Sequence, residues 1–156
     1  LTGRKNLARV GASPGKTTQI NYFLVDGRAY LVDLPGYGYA KVSRAEKERW
    51  AKLMEQYFQD EEELITSGVL IVDIRHKPTE NDLTMHRWFR ESGCPEIIVA
   101  NKLDKLKKSE IAPNMQRIAD ELGLPDVCHV LPFSAQKGDG RTALVELIEQ
   151  AAQGQL

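Results

Sequence analysis

Two short and almost entirely apolar runs, separated by a helical segment, constrain the fold of this chain more than any other feature. The runs are Val69–Ile74 and Glu96–Ala100, and strands of this composition are covered on both faces, as in a parallel sheet. Between them, Thr79 can cap the start of a helix that ends near Ser92, where Gly93 follows. A strand, a helix and a second strand in this order predict an α/β fold with a mostly parallel sheet.

Strands and helices continue to alternate on either side of this unit. Asp26-Gly27 is typical of a tight two-residue turn, so Gln19–Asp26 and Arg28–Leu34 are predicted to form an antiparallel hairpin. A helix is predicted from Ser43 to about Phe58, with an apolar stripe made of Trp50, Leu53, Met54, Tyr57 and Phe58. The remaining predicted elements are a helix ending at Leu122-Gly123, a strand over Val127–Phe133 and a helix over Thr142–Ala152.

Length and composition predict one cytoplasmic domain, residues 1–156. The chain is large enough for a single core, and its sequence has no apolar run that could cross a bilayer and no signal-peptide pattern. Cys94 and Cys128 lie apart in apolar stretches and are predicted to be buried thiols, not a disulfide or a metal site. We expect no membrane partner. The oligomeric state stays open, with a monomer expected.

Charge is distributed unevenly along the chain, although the net charge is −1. Residues 1–50 hold nine Lys and Arg against four Asp and Glu, whereas residues 51–156 hold twelve against eighteen. The candidates for a phosphate-seeking surface are Arg4, Lys5, Arg9, Lys105, Lys107 and Lys108. The alternative is that these side chains are solvated on exposed loops, and the sequence favours neither.

Three polar strings each end or directly follow a predicted strand. They are Asp33-Leu34-Pro35-Gly36, Asn101-Lys102-Leu103-Asp104 and Ser134-Ala135-Gln136-Lys137-Gly138. In an open α/β sheet the ligand site lies outside the carboxyl ends of the strands. The three strings are therefore predicted to belong to one site.

The second and third strings have the chemistry of a guanine-binding site. A carboxylate at Asp104 can accept hydrogen bonds from guanine N1–H and the exocyclic amine, a pattern that adenine does not offer. Asn101 can bond the base edge and connect neighbouring loops, and the methylene chain of Lys102 can cover the flat face of the base. The loop at Ser134 and Ala135 can place a backbone N–H against guanine O6. The alternative for each string is an ordinary polar loop.

The first string suits a magnesium and γ-phosphate site. Asp33 can hold Mg²⁺ through a water molecule, and Gly36 can bring its backbone N–H close to a γ-phosphate. The residues Pro35, Gly36, Tyr37 and Gly38 are predicted to form a switch loop. The alternative is a plain turn, for which Asp-Leu-Pro-Gly is also suitable.

Gly11–Thr17 imitates a phosphate-binding loop but is one residue short of the pattern G-x-x-x-x-G-K-[ST]. Such a loop follows a buried strand and opens a helix, whereas Arg4–Val10 is polar and Thr17–Phe23 is β-branched and aromatic. The better interpretation is a second switch loop, made of Gly15, Lys16, Thr17 and Thr18. The hydroxyl of Thr17 would ligate Mg²⁺ in the triphosphate state, and Thr18 is the second candidate.

Four strings in this order give the chain a close resemblance to a known family. They are Pro14-Gly15-Lys16-Thr17, Ile20-Asn21-Tyr22-Phe23, the run DLPGYGYA from Asp33 to Ala40, and Asp73-Ile74-Arg75-His76. From about Arg4 to the last helix, the sequence resembles the EngB (YsxC/YihA) family of bacterial ribosome-assembly GTPases. The resemblance implies a three-layer P-loop GTPase fold whose mostly parallel sheet has one antiparallel edge strand.

The same resemblance implies a function. The protein would bind GTP and GDP with Mg²⁺ and hydrolyse GTP as a switch in large ribosomal subunit assembly and normal cell division, with ribosomal RNA or a ribosomal protein as its partner. Tyr37 stands where Ras-like proteins have a water-orienting glutamine, so a monovalent cation, a partner or a rearranged switch would have to supply that group. No catalytic residue is assigned. Arg75 and His76 are expected to be structural or partner-binding.

The resemblance also leaves one part unaccounted for, the phosphate-binding loop. Leu1–Gly3 would correspond to the end of the helix after that loop, so the loop and the first, central strand are expected upstream. The domain would then be N-terminally incomplete and inactive on its own. Without that strand, the strand ending at Asp33 and Val69–Ile74 should not pair with each other, and apolar side chains should be exposed.

Two other functions stay open. One is a non-enzymatic ribosome-binding module that cannot hold a triphosphate. The other is a P-loop ATPase or small-molecule kinase that uses Lys16. An upstream phosphate-binding loop ending close to Leu1 would favour the GTPase, and a preference for ATP over GTP would favour the kinase.

Overall fold

The computed structural model describes residues 20–36, 44–61 and 63–155, which divide into two compact units, residues 20–64 and 65–155. The first unit contains a hairpin and a helix. The second contains a three-stranded sheet and three helices.

The hairpin of the first unit consists of strands β1, Asn21–Val25, and β2, Ala29–Asp33, which pair antiparallel. Asp26 and Gly27 form the turn with φ angles of 50° and 67°, a conformation that Gly and Asp adopt more readily than other residues. The Arg28 N–H closes the turn on the Val25 carbonyl at 3.0 Å. The predicted hairpin is confirmed, but three residues connect its strands and not two.

Helix α1, Arg44–Glu61, follows in the same unit. Three residues of its predicted apolar stripe are buried, namely Met54, Tyr57 and Phe58. The Tyr57 ring contacts the Tyr22 ring of β1 edge to face, with 6.4 Å between ring centroids, so the helix packs on the hairpin. The predicted cap at Ser43 lies outside the described residues.

The sheet of the second unit is parallel and has the order β3–β4–β5. Its strands are β3, Gly68–Asp73, β4, Glu96–Asn101, and β5, Val130–Pro132. Gly68 lies opposite Glu96 and Asp73 opposite Asn101, so β3 and β4 end side by side. The parallel sheet predicted from the two apolar runs is confirmed.

Three helices cover this sheet: α2, Glu80–Glu91, α3, Lys108–Leu122, and α4, Arg141–Ala152. Thr79 caps α2 with its side chain, as predicted, and Asp82 completes a capping box. Gly93 and Gly123, with φ of 69° and 64°, follow α2 and α3 in the left-handed conformation that ends a helix.

The core of the second unit lies on both faces of β4. Ile97 and Val99 pack with Leu144 of α4 on one face. On the other face lie Ile98 and Ala100, also buried, because successive strand residues alternate between faces. A strand buried on both sides explains why the sequence of β4 is apolar throughout.

The predicted start of the strand over residues 127–133 and the predicted burial of the two cysteines are both wrong. The strand begins at Val130, because Val127–His129 form a 3₁₀ turn that Asp126 caps by accepting the Cys128 N–H at 2.7 Å. The Cys128 side chain is exposed and Cys94 is half-buried, so neither is the buried thiol that was expected. Both cysteines are free, as predicted.

Strands β2 and β3 do not pair with each other, as predicted, and they belong to different sheets. Strand β3 is an edge of its sheet, and its Ile71 side chain is 60% exposed. Within the described ranges, no helix is both long and apolar enough to cross a membrane.

Candidate functional site

The carboxyl ends of β4 and β5 bring two of the predicted strings together. Asn101 ends β4, and the string that starts at Ser134 follows β5 by two residues. Phe133 connects the strings through its backbone: its N–H donates to Ala100 O at 2.9 Å, and its carbonyl accepts from Leu103 N–H at 3.0 Å. The two loops are therefore held side by side by main-chain hydrogen bonds.

The Asn101 side chain ties these loops together. Its Oδ1 accepts the N–H of Lys102 at 2.7 Å and the N–H of Ala135 at 3.2 Å. The predicted loop-connecting role of Asn101 therefore matches its contacts. The Ala135 N–H, the predicted donor to guanine O6, is directed to the same edge of the sheet as Asn101.

Asp104 has a nearly buried carboxylate, 5% exposed. Its Oδ1 accepts the Ser134 hydroxyl at 2.8 Å, and its Oδ2 lies 3.2 Å from Lys105 Nζ. The Ser134 hydroxyl, followed by Lys105, holds the pKa of this carboxyl below its ordinary value, against the opposing effect of burial. Asp104 is therefore an ionised acceptor, and each of its oxygens retains a second lone pair for a ligand.

Ser134 connects Asp104 to the last loop of the site. Its side chain is fully buried, and its Oγ also accepts the Lys137 N–H at 3.0 Å. Its backbone N–H donates to Asp139 O at 3.0 Å, and its carbonyl accepts from Gly138 N–H at 2.7 Å. One small buried residue thus fixes the loop and orients the carboxylate.

Gly140 ends this loop with φ of 79°, before α4 begins. A Cβ at this position would lie 2.4 Å from the Pro132 carbonyl oxygen, which is backbone and cannot give way easily. Glycine is required here both for the backbone angle and for the close approach to β5.

Lys102 follows Asn101 in the left-handed conformation, with φ of 71°. Its Nζ lies 2.9 Å from Oδ2 of Asp73, at the end of β3. Arg75 binds the same carboxylate through Nε at 2.9 Å and Nη2 at 2.6 Å. Asp73 thus joins the cluster although it was not among the predicted site residues. Its sequence signals were its place in the string Asp73-Ile74-Arg75-His76 and a carboxylate at the end of a predicted strand.

The basic residues that follow Asp104 in the sequence are exposed. Lys105 contacts Asp104 and also donates to Gln136 Oε1 at 3.3 Å, while Lys107 and Lys108 begin α3 at the surface. The other three candidates for a basic surface, Arg4, Lys5 and Arg9, lie outside the described residues.

The Asp33 string belongs to the first unit. Asp33 ends β2 with an exposed side chain, and Pro35 is buried. The Pro35 carbonyl accepts the Trp50 indole N–H at 2.8 Å, which attaches the loop to α1. Gly36 is exposed and has open space around its Cα.

The structure therefore brings together Asn101, Lys102, Asp104, Ser134 and Ala135, and it adds Asp73 and Arg75 to this cluster. Asp33, Pro35 and Gly36 lie in the other unit. The remaining predicted site residues lie outside the described ranges: Gly15, Lys16, Thr17, Thr18, Tyr37 and Gly38.

Metal-binding side chains do not cluster in the described part of the chain. Within residues 20–36, 44–61 and 63–155, no three His, Cys, Asp or Glu side chains gather where a metal ion could be held. Asp33 offers one exposed hard oxygen ligand, which fits Mg²⁺ because this ion keeps several waters and takes few protein ligands.

A family model and individual relatives match this chain. The model of a family described as "50S ribosome-binding GTPase" matches residues 1–102. The probable GTP-binding protein EngB of Clostridium kluyveri is 43% identical over 149 residues, which cover 96% of this chain and 75% of that protein. Its counterpart in Clostridium beijerinckii is 47% identical over 146 residues, covering 94% of this chain and 73% of that protein.

The fold also matches a solved structure. The crystal structure of a probable GTP-binding protein engB superposes with a TM-score of 0.75, covering 86% of this chain and 82% of that one. The two sequences are 22% identical in this match, which therefore concerns the fold alone. It agrees with the P-loop GTPase fold that the sequence predicted.

Proposed function

The chain belongs to the EngB family of GTP-binding proteins, and we propose that the cluster at the ends of β3, β4 and β5 is its guanine-binding site. The observation that carries this proposal is the Asp104 carboxylate, which is nearly buried, ionised and held in place by Ser134. Guanine presents two donors, N1–H and the exocyclic amine, to such a group, whereas adenine presents an unprotonated N1 there.

Three further residues would complete the base site. Asn101 would contact the base edge, and the methylene chain of Lys102 would cover one face. The Ala135 N–H would reach guanine O6 by exchanging its present 3.2 Å bond to Asn101 Oδ1 for the base oxygen. The bonds from Lys102 N–H to Asn101 and from Ser134 to Asp104 support this assignment, because a site whose groups are held before the ligand arrives loses less conformational entropy on binding.

A phosphate and magnesium site is proposed separately, on the Asp33 loop of residues 20–64. We infer that Asp33 holds Mg²⁺ through water, that Gly36 faces the γ-phosphate and that Thr17 is the second magnesium ligand. When bound, Mg²⁺ would neutralise charge on the β- and γ-phosphates. Because no G-x-x-x-x-G-K-[ST] string occurs in the 156 residues, we expect the chain alone to hydrolyse GTP poorly.

The biological role that we propose is a GTP-dependent switch in the assembly of the large ribosomal subunit, in the cytoplasm, with an effect on cell division. The family description supports the ribosome as partner. Lys107 and Lys108 are exposed at the start of α3 and are candidates for contact with RNA phosphates.

Calorimetric titration with GDP, ADP and XDP tests the base site. We expect the parent protein to bind GDP at least about 100-fold more tightly than ADP. Asp104→Asn should weaken GDP binding about 10- to 100-fold and improve XDP binding, because the amide donates to the xanthine O2 that the carboxylate repels.

Asp120→Asn is the matched control, since Asp120 is an exposed carboxylate on α3 whose hydrogen-bond partner is Gln116, one helical turn away. It should leave all three affinities unchanged. Equal affinities of the parent protein for GDP and ADP, or GDP binding by Asp104→Asn at the parental level, would show that Asp104 does not recognise guanine.

A further inference from the structure

Asp73 and Lys102 are brought together by the register of the sheet. Asp73 lies opposite Asn101 in the β3–β4 ladder, and the Ile74 N–H donates to Asn101 O at 2.9 Å just beyond it. Lys102 is the next residue after Asn101. The ends of two neighbouring parallel strands thus place a carboxylate next to the lysine of the base site, although 29 residues separate them in sequence.

The Asp73 carboxylate has a fixed orientation because Arg75 binds both of its oxygens. The Arg75 backbone N–H and Nε donate to Oδ1 at 3.1 and 2.9 Å, and Nη2 donates to Oδ2 at 2.6 Å. A guanidinium that contacts both oxygens defines the plane of the carboxylate. The same contacts, with Lys102 as a smaller contribution, hold the pKa of Asp73 well below its usual range, so the carboxylate is charged at neutral pH.

Lys102 is restrained at both of its ends. Its backbone N–H donates to Asn101 Oδ1 at 2.7 Å, and its ammonium lies 2.9 Å from Asp73 Oδ2. The side chain between these points is 49% exposed.

A half-exposed ion pair of this kind adds little to folding stability. Its larger effect is on the freedom of the lysine, since a long side chain loses rotamer entropy when it is fixed against a ligand. If the side chain is already restrained, that entropy is not lost again when the base binds.

We propose that Asp73, oriented by Arg75, is a positioning residue for the guanine site: it holds the Lys102 ammonium so that the methylene chain is extended as one wall of the base pocket before the nucleotide binds. This inference rests on the guanine-binding function proposed above. In this role Asp73 acts through Lys102 and not on the nucleotide directly.

A double-mutant cycle with GDP and IDP as ligands tests this role. Asp73→Ala should weaken GDP binding about three- to tenfold, as expected when one long side chain must be ordered on binding. IDP lacks the exocyclic amine that Asp104 recognises. Its affinity should fall by the same factor as that of GDP, so the ratio of GDP to IDP affinity should not change. Asp104→Ala, in contrast, should reduce that ratio.

Lys102→Met completes the cycle, because methionine keeps most of the apolar chain and lacks the ammonium. Adding Asp73→Ala to Lys102→Met should cause no further loss, since the link is already broken. Asp120→Ala on α3 is the control and should leave both affinities unchanged. Should Asp73→Ala fail to fold, Asp73→Asn has the same shape, and we expect a loss of about threefold.

The outcomes separate this inference from the proposed function. A parent protein that binds GDP and ADP equally would overturn both. A parent protein that prefers GDP but is unaffected by Asp73→Ala would overturn the positioning role alone. The positioning role would also be overturned if the double variant lost GDP affinity by the product of the two single losses, because Asp73 would then act independently of Lys102.

Discussion

Residues 65–155 hold their candidate site residues in a network of side-chain hydrogen bonds across three loops, whereas residues 20–64 present Asp33 at the exposed end of a hairpin. In the larger unit, Asp104 and Ser134 bond each other over 30 residues of sequence. In the smaller unit, the Asp33 loop is tied to α1 by the bond from Trp50 to Pro35. The candidate base site is thus preassembled within its own unit, whereas we expect bound phosphate and metal to organise the Asp33 loop.

The hairpin differs from the sheet unit in its surface as well. Tyr22, Leu24 and Tyr30 are all exposed, and Tyr22 and Tyr30 contact each other edge to face with ring centroids 6.2 Å apart. In the sheet unit, core residues such as Val99 and Ile118 are fully buried. Substitutions of similar residue types should therefore lower the free energy of unfolding more in the sheet unit. Each unit has its own tryptophan, Trp50 or Trp88, whose fluorescence reports its unfolding.

Two glycines with similar backbone angles give the largest expected contrast. Gly140→Ala should destabilise the sheet unit by about 2–4 kcal/mol, because its Cβ would collide with the Pro132 carbonyl in addition to the strain of the positive φ. Gly27→Ala in the hairpin turn has open space and should cost only about 1–2 kcal/mol. Urea unfolding followed by tryptophan fluorescence measures both, and equal costs would contradict the tighter packing of the sheet unit.

Ser134→Ala probes the network within the site. Loss of the buried hydroxyl should cost about 1–3 kcal/mol of folding stability, since it removes one donor and one acceptor from a fully buried position. The pKa of Asp104 should rise, because the Ser134 hydroxyl is the main cause of its lowered value. Carboxyl NMR titration checks the direction, and Ser92→Ala, at the end of α2, is the control. An unchanged Asp104 pKa would show that the Ser134 hydroxyl does not stabilise the Asp104 carboxylate.

A buried pair of titratable groups makes the stability of the sheet unit depend on pH. His86 Nδ1 lies 2.6 Å from Glu96 Oε2, both side chains are nearly buried, and burial raises the pKa of Glu96 above its ordinary value of 4.5 despite the opposing bond to His86. The stabilising contribution of protonated Glu96 is complete below pH 4.5 and is lost as the pH rises through the raised pKa. Glu96→Gln should therefore gain stability relative to the parent protein as the pH rises.

Urea unfolding of Glu96→Gln at several pH values from 4.5 to 8 measures this gain. Glu91→Gln, at the exposed end of α2, provides the comparison and should follow the parent protein at every pH. If the stability of Glu96→Gln relative to the parent protein stays constant or falls as the pH rises, the pKa of Glu96 is not raised in the folded protein.

Trp50→Phe should have the smallest effect. The substitution removes the hydrogen bond to the Pro35 carbonyl and keeps an aromatic ring, so we expect a loss of about 0.5–1.5 kcal/mol, confined to the unfolding of residues 20–64. Hydrogen exchange of the β1–β2 amides is a suitable measurement. A loss of protection in β4 of the same size would mean that the two units do not unfold separately.

Local patterns in the sequence predicted most elements of this fold because each depends on neighbouring residues. The apolar runs of β3 and β4, the Thr79 cap, the terminating Gly93 and Gly123, and the Asp26-Gly27 turn all lie where they were predicted. The 3₁₀ turn at Val127–His129 was missed, because an apolar run with β-branched residues predicts a strand unless the capping contact of Asp126 is known.

The sequence by itself determined the α/β character of this protein, its family and the chemistry of its strings, since these follow from residue types at fixed spacings. Only the tertiary structure decided which side chains hold the strings in place. The Ser134 bond to Asp104 and the Asp73 bond to Lys102 join residues 30 and 29 positions apart. Such contacts exist only because parallel strands end at one edge of the sheet in a particular register, and that register depends on the packing of the whole unit and not on any local pattern.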